Sequence, residues 1–162
     1  MKYRSDALKV VLLLLALSMP ALAQKPTIII SPFTPEVIPI DICGFGILVT
    51  PQVGRPNLAK TIYFANSGIS SGPVFITLEN LTTKKTIDLN ISGPVRFNFS
   101  DTYVLLGPGI AIEALPPDLA AAAGLPELPL FHGRAVFKLD DLGNITSISF
   151  TGKVEDVCQM MQ

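Results

Sequence analysis

Apolar and polar positions alternate with a period of two over most of the chain beyond residue 40, a pattern of strands rather than helices. The clearest pair is Val74–Glu79 with Thr86–Ile91. In the first, Val74, Ile76 and Leu78 share a face; in the second, Ile87, Leu89 and Ile91 alternate with Thr86, Asp88 and Asn90. The polar run 80–85 between them predicts a hairpin connection. Val95, Phe97 and Phe99 alternate with Arg96 and Asn98, and Asp101–Leu106 follows as a strand ended by Gly107-Pro108-Gly109. A last hairpin is expected from Arg134–Leu139 through the turn 140–144 into Ile145–Thr151, with Ile148 and Phe150 facing the core. Ile40–Thr50 and Lys60–Ala65 are further strand candidates. Strands at this spacing predict an all-β fold over 40–162, a single antiparallel barrel or sandwich, closed or nearly closed.

Two segments break the period. Residues 24–39 hold Pro26, Pro32, Pro35 and Pro39 around Thr27-Ile28-Ile29-Ile30, which predicts a proline-rich arm with one edge strand at 27–30. Ile110–His132 is too long for a hairpin loop. Its Pro116-Pro117-Asp118-Leu119, four alanines and Gly124-Leu125-Pro126 predict a short helix near 117–124. Such a loop either covers an open end of the core or serves as a binding loop. In the second case Ile110, Ile112, Leu115, Leu119, Leu125 and Phe131 would line or gate an apolar site.

The start of the chain has a different character. Lys2, Arg4 and Lys9 precede the apolar run Val10–Leu17, then Pro20 and the small-x-small site Ala21-Leu22-Ala23. Residues 1–23 therefore have the form of a cleavable signal peptide. Val10–Ala23 is shorter than the roughly 20 apolar residues needed to span a bilayer, so a mature, secreted, extracellular chain without a membrane span is expected from Gln24. That chain has nine basic against twelve acidic residues, a net −3. The balance suggests no basic stripe, and nucleic acid and anionic membrane are not expected partners. Cys43 and Cys158 are the only cysteines. In an oxidising compartment they are expected to pair across nearly the whole domain. Two free thiols or a redox pair are the alternatives, the latter without a Cys-x-x-Cys spacing.

Motifs for chemistry are sparse. Gly68-Ile69-Ser70-Ser71-Gly72 matches the G-x-S-x-G of serine hydrolases, with Asp88, Asp101 or Asp118 and His132 following in order. That chemistry needs a helix after the serine, whereas Pro73 and a strand follow. One histidine and two paired cysteines provide no zinc set, and Asp140-Asp141-Leu142-Gly143-Asn144 lacks an EF-hand's spacing, so neither metal nor cofactor is expected. Four of six asparagines, Asn80, Asn90, Asn98 and Asn144, begin Asn-x-Ser/Thr sequons. With 21 Ser and Thr in 162 residues, fewer than one is expected by chance. All four fall in predicted turns or on polar strand faces, as candidate glycan acceptors.

Asp41-Ile42-Cys43-Gly44-Phe45, Leu89-Asn90-Ile91-Ser92-Gly93-Pro94, and Gly143-Asn144-Ile145-Thr146-Ser147 through Asp156-Val157-Cys158 resemble a loose group of small secreted proteins from actinobacteria and some fungi. The likeness spans roughly 41–158 and rests on short motifs. It implies a signal peptide, a paired first and last cysteine and a compact β fold, and it carries over no catalytic residue. The expected role is non-catalytic, an extracellular binding protein holding a small apolar ligand in a barrel mouth. The alternatives are a barrel-type isomerase or cyclase, and a cell-surface or cell-wall interaction protein using the arm and strand edges. Oligomeric state is not legible.

Overall fold

The computed structural model describes residues 25–99 and 103–162, with backbone only for 103–111. The expected signal peptide at 1–23 and the Ile110 side chain thus lie outside the described residues. The strands are β1 Thr27–Pro32, β2 Glu36–Ile38, β3 Ile47–Pro51, β4 Leu58–Tyr63, β5 Ser67–Ser71, β6 Phe75–Asn80, β7 Thr86–Asn90, β8 Val95–Asn98, β9 Tyr103–Ile112, β10 Pro129–Leu139 and β11 Ile145–Asp156. Three short helices accompany them: α1 Ile40–Cys43, α2 Pro117–Ala123 and α3 Val157–Met161.

Every pairing is antiparallel, and the strands form two sheets. The large sheet has the order β1-β4-β5-β8-β9-β10-β11, the small one β2-β3-β6-β7. Neither closes on itself, so the sandwich, rather than the barrel, is the architecture. The chain visits the sheets by turns: β1 in the large sheet, β2–β3 in the small, β4–β5 back, β6–β7 across, then β8–β11 as a meander. The three exposed isoleucines of the proline-rich segment lie in β1, an edge of the large sheet paired to β4.

Period-two alternation produces the small sheet's packing. Ile76 and Leu78 of β6 and Ile47 and Val49 of β3 are buried, while their sequence neighbours face outward. They meet Leu128, Leu130, Val157 and Met161 in one core cluster. A second cluster lies on one face of the large sheet, where Phe131, Ala135 and Phe137 of β10 are covered by Leu115 and by Ala120 of α2. Phe131 and Phe137 meet edge to face at 5.8 Å between ring centres.

Local chemistry corrects three boundaries. Ile40–Cys43 is one helical turn rather than the start of a strand. Gly44 ends it at φ 76°, donating its N–H to the Ile40 carbonyl. Gly107-Pro108-Gly109 does not end β9; the β9–β10 ladder shifts register between Gly133 and Ala135, and a bulge absorbs the proline. Residues 157–161 continue β11 as a helix, with the Asp156 carboxylate accepting from the Gln159 N–H. The expected helix near 117–124 is α2, closed by Gly124 at φ 65°.

The disulfide joins Cys43 of α1 to Cys158 of α3, 115 residues apart. It ties α1 and α3 together beside the first core cluster. No helix among the described residues is long and apolar enough to cross a membrane.

Candidate functional site

The large sheet has two unlike faces. The face bearing Phe131, Ala135 and Phe137 is covered by α2 and its flanks. On the opposite face, Leu130 and its partner Ile112 pack into the first cluster, but the stretch from Arg134 to Lys138 is left open. Register places one unbroken row of residues across that open face: Ile28, Ile62, Ile69, Arg96, Leu105, Val136 and Ser149, one per strand from β1 to β11. Neighbouring strands are about 4.8 Å apart, so the row begins apolar and becomes basic within about 15 Å.

Around the middle of this row lies a concavity of about 870 Å³. Ile69, Val136 and Phe64 supply apolar walls; Arg96 of β8 and Arg134 and Lys138 of β10 supply cations; Ser67, Ser147 and Ser149 supply hydroxyls. Its floor approaches the sheet backbone at Gly68. The Phe97 ring lies so close to Gly68 that a Cβ there would come within 2.3 Å of it. Tyr63 and Phe99 hold that ring in place, with ring centres 5.7 and 5.3 Å away. Any side chain at position 68 would collide with the Phe97 ring.

A second cavity of about 330 Å³ lies between the small sheet and the segment after β9. Val49, Ile76, Ile91, Ile112 and Leu128 line it, with Glu36 of β2 and Glu113 also in its wall. Burial, and secondarily the charge of Glu36, pushes the Glu113 carboxyl above its ordinary value.

The described residues expected to gate a ligand divide between two places. Ile112 belongs to β9 and lines the smaller cavity. Phe131 belongs to β10 and, with Leu115, is buried under α2, where both fill the core. Leu125 packs beside them and Leu119 is half-buried on α2. With the sheets open there is no barrel mouth for these side chains to guard.

The sequons are unequal. Asn80 is not exposed: only 1% of it is accessible. Its amide donates to the Met161 carbonyl at 3.0 Å and its oxygen accepts from the Thr82 and Thr83 N–H groups at 2.8 and 3.0 Å. A glycan on Asn80 is incompatible with this packing. Asn90 and Asn144 are exposed, and Asn98 is half-buried.

The remaining sequence motifs resolve into structural roles. Ser70 lies within β5, its hydroxyl bonded to Thr61, with no helix after it. His132 is paired instead with Glu155, which also takes Lys153. These two partners lower the Glu155 carboxyl, Lys153 more than His132. Asp140 ties its own turn, accepting from the N–H groups of Leu142 and Asn144 and from the Asn144 amide. No group of three or more His, Cys, Asp or Glu among the described residues is placed to hold a metal ion.

The concavity itself was not legible in the sequence. Its cations come from positions 96, 134 and 138, which no local pattern connects. The only available signal was alternation, which places Arg96 opposite the Val95 and Phe97 face and Arg134 and Lys138 opposite the Ala135 and Phe137 face. No protein-family model, curated protein or solved structure matches this chain.

Proposed function

We propose that the chain is a secreted, disulfide-locked binding protein without a catalytic role, which holds a small ligand with an apolar body on the open face of its large sheet. The observation that carries this reading is the concavity of about 870 Å³, a size typical of small-molecule sites. Its lining combines aliphatic and aromatic walls with a few polar groups, the usual composition of a site that orients a ligand. The described lining residues include serines and cations but no carboxylate or histidine to act as a general base. Export follows from the leader at 1–23 and fits the oxidised cysteine pair. In a eukaryotic secretory pathway, Asn90 and Asn144 are the acceptors for glycans.

A neutral polarity-sensitive dye tests the site. Its fluorescence should rise saturably on titration into the purified protein, and Val136→Trp, which fills the concavity, should abolish the rise while leaving the thermal transition in place. No saturable signal, or a signal unchanged in the tryptophan variant, would overturn the reading.

A further inference from the structure

Each sheet ends in two strands with one unpaired side, and the four edges are not alike. β2, β7 and β11 carry Glu36, Asp88, and Lys153 with Glu155. β1, at the edge of the large sheet, has no charged residue from Thr27 to Pro32 and no bulge in its register with β4. All six of its residues are exposed, with Ile28 at 55%, Ile29 at 45% and Ile30 at 64%. Edge strands avoid pairing with another chain through charges, bulges, interior prolines or extreme shortness. β1 uses none of these, since its prolines bracket the strand rather than interrupt it. Among the described residues nothing pairs with its outer side.

The direction of each backbone group follows from one bond. The Phe33 N–H donates to the Asn57 carbonyl, in the same register as the β1–β4 ladder. Bonded and unbonded pairs alternate in an antiparallel ladder, so Ser31, Ile29 and Thr27 bond to β4 as Phe33 does. Ile28 and Ile30 then turn their N–H and C=O groups outward. Pro26 and Pro32 share that outward parity, where a missing N–H costs the β1–β4 ladder nothing. The outer edge therefore offers two donors, bracketed by two residues with none to give.

The segment is also a near-palindrome, Pro26-Thr27-Ile28-Ile29-Ile30-Ser31-Pro32, centred on Ile29. We propose that β1 pairs antiparallel with β1 of a second copy of this chain, joining two large sheets across a two-fold axis at Ile29. A self-complementary patch is what a two-fold dimer requires. In this register Ile28 of each copy exchanges two hydrogen bonds with Ile30 of the other, which uses all four outward donors. Ile29 faces its own counterpart, Thr27 faces Ser31, and the prolines meet at both ends and stop the ladder. The isoleucines cover one another on both faces of the joined sheet. Lys60, opposite Ile30 on β4, lies about 16 Å from Lys60 of the second copy, beyond the ~8 Å screening length at physiological salt. An edge of six residues buries less than the about 800 Å² per partner of a standard interface, so the dimer is reversible and concentration-dependent. The pairing concerns the edge of the sheet and does not depend on a ligand in the concavity.

Sedimentation equilibrium of the purified protein should show a reversible monomer–dimer equilibrium in the micromolar range. Ile30→Pro removes an outward donor and none of the β1–β4 bonds. It should raise the dissociation constant about tenfold or more while the thermal transition stays in place. Ile29→Cys should form a covalent dimer on mild oxidation, because opposed residues of an unbonded pair lie about 4.5 Å apart at Cα. Thr27→Cys should not, since its own counterpart is about 14 Å away. The two cysteine variants decide the register without relying on the fold of the proline variant. A monomer at every concentration up to ~1 mM, a dimer that Ile30→Pro leaves unchanged, or equal cross-linking of the two cysteine variants would overturn the proposal. Chains longer than a dimer would overturn it in favour of head-to-tail joining of β1 to β11.

Discussion

Asn80 shows how one polar side chain can hold distant parts of this fold together. It closes the β6–β7 turn by accepting from Thr82 and Thr83 and anchors α3 by donating to Met161, 81 residues away. Every polar atom of the amide is used, which is why it can be buried. Asn80→Ala removes three bonds and leaves turn N–H groups and a helix carbonyl without partners. The expected loss is about 2–4 kcal/mol, since an unsatisfied buried group costs about 1–3 kcal/mol. Urea unfolding of the variant checks it; a midpoint within error of wild type would contradict the role. The sequon Asn80-Leu81-Thr82 drew attention to this residue for the wrong reason. A motif for modification and a motif for an Asx turn share the same letters, and only burial separates them.

At the scale of elements, the strands were legible wherever one face is buried and the other is wet, as in β6, β7 and β10. The two one-turn helices were not. α1 and α3 are apolar segments too short to show a helical period, and they are fixed by a disulfide, a glycine cap and an Asp cap. The apparent stop at Gly107-Pro108-Gly109 misled because a bulge lets a strand carry proline. The segment joining β9 to α2 also carries a pH dependence. Glu113 there is pushed above the ordinary carboxylate value of 4.5, first by burial and then by Glu36 of β2. A raised carboxyl favours the folded state fully below its unfolded pKa. That contribution is lost as pH rises through the higher folded value. Glu113→Gln should therefore match wild type near pH 4 and exceed it in stability towards about pH 7. Urea midpoints measured across that range check the sign. Parallel curves for the two proteins would show that the carboxyl is not held out of water.

At the scale of the whole molecule, composition and topology say different things. A chain of net −1 gave no reason to expect a basic surface, yet antiparallel pairing aligns Arg96, Arg134 and Lys138 from separated stretches onto one face. Net charge is a sum, whereas a binding surface depends on which strands become neighbours. The same topology explains the cross-link. The chain passes between the two sheets four times from β1 to β8, so its early and late segments meet only once the sandwich is assembled. The Cys43–Cys158 bond closes that circuit through α1 and α3. In the chain-entropy picture a loop of 115 residues is worth about 4–5 kcal/mol. Cys43→Ser with Cys158→Ser should lower the unfolding free energy by about that amount. Ligand affinity should remain unchanged under conditions where the variant is still folded, since neither cysteine lines the open face. Denaturant unfolding paired with dye titration separates the two effects. A variant that keeps its stability, or one that is folded but no longer binds, would show that the disulfide acts differently from a clamp on the unfolded chain.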